Sequence, residues 1–389
     1  MASISNRLFL RNIFRQKPVI YRSFCEKGKI EGIQEANIND VHYTENEYGS
    51  VVEAEEKKTS LLIKDFRPRI DPSETSVILF PGQGTQFVGM GSKLLEYPNV
   101  EQMFTHAKHV LGYDLLDICL NGPVETLNQT KYSQTAIFVC SLAAVEKLRT
   151  SESEFVKNCI ATAGFSVGEF AALVFGGVLS FEDALRLVKI RAEGMQYVSD
   201  MIPSGMMTII FGADAKISLA CRAAQEWCIR QGVDAEHAVC TVCNYLFPHC
   251  KVIGGHEEAL KFLELNAKEF GIRRCTRLKV SGAFHTKLME PAQEVFRKAL
   301  SSVKISRSLI PIYSNVDGHP YRNEKQVIKK LGKQMCSPVR WEQILHAIYQ
   351  RKQDTAFPKT FECGPGKSLL SILKNVNLKA QHEAKTVSV

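Results

Sequence analysis

The chain has 389 residues, of which 45% are hydrophobic, enough to bury a large core in one large or two unequal globular domains. No apolar run reaches the roughly 18 residues of a membrane-spanning helix, so no membrane span is expected. The formal net charge is +8, and the twelve cysteines lack the spacing of a disulfide framework, which argues against a stapled secreted scaffold and for reduced, buried thiols.

Residues 1–25 carry Arg7, Arg11, Arg15, Lys17 and Arg22 with Leu8, Leu10, Ile13 and Phe14 interleaved, and no acidic residue precedes Glu26. An acid-free, arginine-spaced amphipathic leader reads as a mitochondrial transit peptide, with a merely basic tail as the alternative. Residues 26–75 hold twelve acidic against seven basic residues and no sustained apolar period, which predicts an acidic, largely disordered linker. Leader and linker cancel in charge, so the basic excess belongs to residues 76–389.

A strand is predicted at 76–80, running into Pro81-Gly82-Gln83-Gly84. The loop has neither GxGxxG nor GK[ST], so a nucleotide-phosphate cradle is not supported. Helical periodicity fills 100–150, and a second strand at 159–164 leads into Gly164-Phe165-Ser166-Val167-Gly168. This GxSxG is a candidate nucleophile elbow, in which a sharp strand-to-helix turn exposes the serine and leaves room only for glycine on either side. A glycine-flanked surface turn is the competing reading of GxSxG alone. Ser180 is placed to cap the next helix, with Asp183 three residues on and Arg191 towards its end.

Residues 205–280 read strand (205–211), helix (217–231), two strands (239–245 and 251–254), helix (256–270) and strand (274–280), the order of a ferredoxin-like insertion. Cys240 and Cys243, with His237, His249 and Cys250 nearby, raise a zinc site. Residues three apart on a strand point to opposite faces, which favours ordinary core cysteines. Beyond 280 the pattern is helix (291–300), strand (309–314), helices (325–333 and 342–349), strand (360–362) and Gly364-Pro365-Gly366. Strands alternating with helices predict a parallel sheet covered on both faces. The expected organisation is a core of 76–204 and 281–378, an inserted subdomain of 205–280, and a flexible tail of 379–389.

A nucleophilic serine needs a base, and His285, in Gly282-Ala283-Phe284-His285-Thr286 after a predicted strand, has the most informative setting of the ten histidines. Taken together, FPGQG at 80–84, GFSVGE at 164–169, Arg191 in KIRAEGM, GAFHT at 282–286, SNVDG at 314–318, SPVRW at 337–341 and ECGPGK at 362–367 resemble the malonyl-CoA:acyl-carrier-protein transacylase family from 76 to about 373. With the leader, the resemblance implies a mitochondrial member serving type II fatty acid synthesis in the matrix.

The resemblance implies an α/β fold, a parallel-sheet serine-acyltransferase core of α/β-hydrolase-like type with an inserted ferredoxin-like α+β subdomain. It implies Ser166 as nucleophile and His285 as general base and acid, with the backbone N–H groups of Gln83 and Val167 as oxyanion hole. Arg191 would bind the malonyl carboxylate beside Met195, Phe284 would shape the acyl pocket, and Asn244 would lie near the pantetheine path. A backbone carbonyl at Gln334, in place of an acid, would orient the histidine. Phe165 departs from the histidine often found before the serine. The implied activity is [acyl-carrier-protein] S-malonyltransferase, with malonyl-CoA and an acidic acyl carrier protein as partners, no metal or cofactor, and a monomeric enzyme.

Two other functions compete with this one. A serine hydrolase shares GxSxG but needs an Asp or Glu and then a His after the serine, and the Arg191 and Gln83-Gly84 positions do not belong to that plan. A nucleic-acid-binding protein would use the run Lys268, Arg273, Arg274, Arg277 and Lys279, but no binding signature accompanies it. The same residues, Lys279 aside, are candidate docking points for an acidic carrier protein.

Overall fold

The structure is a computed structural model and describes residues 71–389; the leader and linker residues 26–70 lie outside the described residues. Five strands form the main sheet: β1 (Ser76–Phe80), β2 (Cys159–Gly164), β7 (Ile312–Tyr313), β9 (Lys359–Cys363) and β10 (Lys385–Val387). They lie in the order β10-β9-β1-β2-β7, with every neighbouring pair parallel. β1 and β2 are buried at every position, as continuous apolar runs in parallel sheets require when helices cover both faces. Ile78 and Phe80 enter the larger core with Phe138 and Phe170, whereas Val77 and Leu79 enter a second core with Trp341 and Leu369 on the opposite face.

The helices that place the site are α1 (Thr130–Ser151), α2 (Gly168–Phe175) and α3 (Phe181–Met201). α1 is buried along most of its length, including the polar residues Thr130, Ser133, Gln134 and Thr135 near its start. The Ser180 side chain accepts from Asp183 N–H at 3.0 Å, the predicted cap that starts α3.

The second sheet contains β3 (Ser204–Phe211), β4 (Cys240–Phe247), β5 (Cys250–His256) and β6 (Ile272–Arg277), with helices α4 (Ile217–Arg230) and α5 (Glu257–Asn266) packed on one face. Its order, β6-β3-β5-β4-β8, is the ferredoxin-like arrangement extended by β8 (Val339–Arg340), which pairs parallel to β4. The small sheet therefore takes its fifth strand from outside 205–280. β6 starts and ends earlier than the predicted 274–280, because the chain leaves the sheet after Arg277 to reach the His285 loop.

Two boundaries need correction. The tail at 379–389 is built into the fold: after α6 (Glu290–Leu300), α7 (Trp341–Tyr349) and α8 (Ser368–Val376), the chain forms α9 (Leu378–His382) and then β10, the edge strand beside β9. Val387 and Val389 are buried and Lys147 Nζ donates to the Ser388 carbonyl at 3.1 Å, contacts too short in sequence to leave a period. At the other end, the linker's last residues are ordered, because Asp71 caps the turn Pro72–Glu74 and the Thr75 carbonyl accepts from Lys359 N–H at 2.9 Å.

Cys240 and Cys243 lie in different cores, Cys240 under α4 and α5 and Cys243 in the main core, separated by a bulge in β4 between Val242 and Asn244. Among the described residues no group of three His, Cys, Asp or Glu side chains is placed to hold a metal ion, and no helix is long and apolar enough to cross a membrane.

Candidate active site

β2 ends at Gly164 and α2 begins at Gly168, so only three residues make the turn. A Cβ on Gly164 would fall 1.9 Å from the Gly168 carbonyl carbon, and one on Gly168 would fall 2.3 Å from the Phe80 carbonyl oxygen. Both contacts are with backbone, so neither can relax. Ser166 sits at the apex with φ +54°, a left-handed conformation unfavourable for a serine. Asn315 holds it there: its Oδ1 accepts from Ser166 N–H at 2.7 Å and its Nδ2 donates to the Gly164 carbonyl at 2.7 Å. Phe165 packs its ring edge-on against Trp341, with centroids 5.4 Å apart, so it ties the elbow to α7.

His285, also left-handed at φ +60° and 2% exposed, places Nε2 2.8 Å from Ser166 Oγ. Its Nδ1 donates to the Gln334 carbonyl at 2.9 Å, an arrangement that leaves Nε2 unprotonated and able to take the serine proton. No carboxylate among the described residues hydrogen-bonds to His285. Burial, with the nearby Arg191 cation second, pushes its pKa down to about 3.

Arg191, on α3, is 1% exposed. Its Nη1 donates to Gln134 Oε1 at 2.5 Å, and its Nη2 donates to Ser166 Oγ at 3.0 Å and Gln334 Oε1 at 2.9 Å. Its Nε has no partner among the described residues. Burial lowers the guanidinium to about 9, opposed by Glu169, so it stays protonated at neutral pH. A buried cation with neutral partners and an unused N–H, touching a candidate nucleophile, is suited to an acid that arrives with the substrate.

The remaining predicted residues fall around this centre. Val167 precedes α2 and is buried, and no group among the described residues accepts from the backbone N–H of Val167 or Gln83. The Gln83 side chain joins the same network, donating to Thr130 Oγ1 at 3.1 Å and accepting from Gln134 Nε2 at 3.2 Å. Gln134 Nε2 also reaches Met195 Sδ at 3.5 Å, one turn along α3 from Arg191. Phe284 is buried beside His285. Asn244 is not hydrogen-bonded to the network; it is buried on β4 opposite Val339, with its Oδ1 unpartnered. Of the basic run, Arg277 is engaged internally, donating to Glu257 at 3.0 Å and Glu264 at 2.7 Å, while Lys268, Arg273 and Arg274 are exposed.

Four residues of the network escaped the sequence reading. Glu169 and Asn315 lie inside quoted motifs, and a lone acid ahead of the apolar Phe170-Ala171-Ala172-Leu173 was a signal of a buried partner. Gln134 was hinted at by the polar Ser133-Gln134-Thr135 interrupting an apolar helix. Tyr321, whose hydroxyl donates to Glu169 Oε1 at 2.6 Å, had no local signal.

Residues 77–357 match the family described as acyl transferase domain. The human mitochondrial malonyl-CoA-acyl carrier protein transacylase is 52% identical over 318 residues, covering 82% of this chain and 81% of that protein. Among solved structures, the malonyl CoA-acyl carrier protein transacylase of Coxiella burnetii superposes with a TM-score of 0.71 at 30% identity, covering 82% of this chain and 95% of its own. A malonyl-transacylase solved in complex with its type II PKS acyl-carrier protein gives a TM-score of 0.69 at 30% identity, covering 81% and 96%.

Proposed function

The chain belongs to the malonyl-CoA:acyl-carrier-protein transacylase family, and from that premise we propose that Ser166 carries the malonyl group between coenzyme A and the carrier's phosphopantetheine thiol. The enzyme is an [acyl-carrier-protein] S-malonyltransferase of fatty acid synthesis, and it is mitochondrial. Placement in the matrix, and processing of residues 1–25, are inferred from the leader.

In the first half-reaction the malonyl carboxylate docks on Arg191, which sets the thioester carbonyl against Ser166. His285 Nε2 takes the hydroxyl proton as Oγ attacks, and the N–H groups of Gln83 and Val167 receive the developing oxyanion. Collapse expels coenzyme A thiolate, which His285 protonates, leaving an ester on Ser166. In the second half-reaction His285 deprotonates the carrier thiol, which attacks the ester and releases the serine. Kinetics are therefore ping-pong, and the residues present can complete both halves without a cofactor. Met195 and Phe284 line the acyl side, Asn244 lies on the pantetheine side, and the enzyme acts as a monomer that meets its carrier transiently. The core of 76–204 and 281–389 carries the chemistry, with 205–280 as the smaller subdomain.

The observation that carries this reading is the convergence on Ser166 Oγ of His285 Nε2 at 2.8 Å and Arg191 Nη2 at 3.0 Å, a base and a buried cation on one hydroxyl. Incubation with radiolabelled malonyl-CoA followed by peptide mapping tests it. One equivalent of label on Ser166, with a burst of coenzyme A and no steady hydrolysis, is expected. Label on another residue, or continuous hydrolysis without carrier, would overturn it.

A further inference from the structure

Glu169 takes no part in the steps above, yet it is fully buried on the first turn of α2, three residues beyond the nucleophile. Its Oε1 accepts from the Tyr321 hydroxyl at 2.6 Å and Asn315 N–H at 3.1 Å, and its Oε2 accepts from Gln334 Nε2 at 2.6 Å. A side-chain amide has two ends of opposite polarity, and an acceptor-only carboxylate settles which end it meets. With Nε2 on Glu169 and on the Ser166 carbonyl at 2.9 Å, Gln334 must turn Oε1 towards Arg191 Nη2, 2.9 Å away.

We propose that Glu169 is a positioning residue for acyl selectivity: it fixes the Gln334 amide so that the amide oxygen holds the Arg191 guanidinium where the substrate carboxylate docks. The inference rests on the reading of Arg191 as the carboxylate anchor. A glutamine at 169 would keep its oxygen on Tyr321 and Asn315 and turn its NH2 onto the Gln334 NH2. Two donors would then face each other. Gln334 would have to flip, presenting NH2 to the guanidinium and removing the acceptor that holds it.

Mild acid should act in the same direction. Burial raises Glu169 to about 7 against the three hydrogen bonds that favour its charge, with Asp317 adding to the rise. The charged or titratable groups around it are Arg191 on α3, His285 on its loop, and Asp317 and Tyr321 in the segment after β7. His285, lowered to about 3, stays neutral through this range. A protonated Glu169 Oε2 becomes a donor, so the Gln334 amide meets the same inversion.

The test is Glu169→Gln, with kcat/KM measured for malonyl-CoA and acetyl-CoA on the full chain. The malonyl-to-acetyl ratio should fall about tenfold to a hundredfold, the loss expected for one charge-assisted hydrogen bond. Labelling of Ser166 by an uncharged sulfonyl fluoride should change only a few-fold. Gln334→Leu should lower the ratio too, and the double variant should fall no further, because both break one chain of contacts. An unchanged ratio in folded Glu169→Gln, or additive losses, overturns the proposal.

If Glu169→Gln does not fold, Tyr321→Phe serves. Removing one donor to the carboxylate should move the acid-side rise of malonyl-CoA KM towards alkaline pH, and a limb that stays in place would overturn the role. A wild-type enzyme that forms no malonyl-Ser166 would defeat the reading of the site itself. Intact malonyl-Ser166 with an unmoved ratio would defeat only the role of Glu169.

Discussion

His285 is kept ready by geometry and by burial together. Its Nδ1 proton is committed to the Gln334 carbonyl, and with a pKa of about 3 against an ordinary 6.5 the ring is neutral through the neutral and mildly acidic range. The rate of Ser166 labelling by an uncharged sulfonyl fluoride should therefore change by no more than the few-fold expected from Glu169 between about pH 7 and about pH 5. A titration with its midpoint near 6.5 would show that the histidine is not held as described. The stability consequence has a definite sign. Below 6.5 the unfolded chain protonates first, so the His285 contribution is lost as pH falls from 6.5 towards 3. Glu169 acts oppositely: its folded pKa is raised from 4.5 to about 7, so its contribution is lost as pH rises through that window. Ser166→Ala should leave a folded protein with no malonyl adduct by mass spectrometry, since only the hydroxyl is removed. A full-size adduct in that variant would place the nucleophile elsewhere. At this scale the meeting of Ser166, His285 and Arg191, the proposed nucleophile, base and carboxylate anchor, was legible because each sits in a compact motif. Glu169 and Gln134 were not given roles, because their partners lie across the fold and no local pattern names them.

The elbow joins β2 to α2 with no spare volume, and this makes its glycines the least replaceable residues of the element. Gly168→Ala would press a Cβ to 2.3 Å from the Phe80 carbonyl oxygen, at the end of the neighbouring strand. Overpacking against backbone should destabilise the fold by about 3 kcal/mol or more, read as a large drop in Tm. A variant melting with the wild type would mean the β1–β2 edge is looser than described. The long apolar strands β1 and β2 and the capped helix α3 were readable, because burial on both faces and a Ser-to-Asp cap leave strong local signals. β8 and β10 were not, since two or three residues set no period and each is held by its partner strand. Hence the C-terminal segment read as a tail although it closes the main sheet.

The two sheets are stitched by β8, which follows Gln334 by only a few residues, so the segment that orients His285 also completes the small subdomain. The basic run at its far edge divides by structure. Arg277 is bound to Glu257 and Glu264, whereas Lys268, Arg273 and Arg274 are exposed on or beside the edge strand β6. Charge reversal of Lys268, Arg273 and Arg274 should slow transfer to an acidic carrier protein, mainly through the association rate, and spare transfer to free pantetheine; added salt should mimic it. Reversal of Arg277 should impair both acceptors, since it breaks an internal pair. Equal losses with both acceptors at the exposed positions would remove them from carrier docking. The measurement that bears most directly on the whole account is kcat/KM of Arg191→Ala with malonyl-CoA and with acetyl-CoA. Removing the partner of a desolvated carboxylate costs about 3–5 kcal/mol, so malonyl transfer should drop roughly a hundredfold to several thousandfold. Acetyl transfer, which has no carboxylate to place, should hold or rise. A parallel fall of both would contradict the account, showing that Arg191 holds the structure and does not select the substrate.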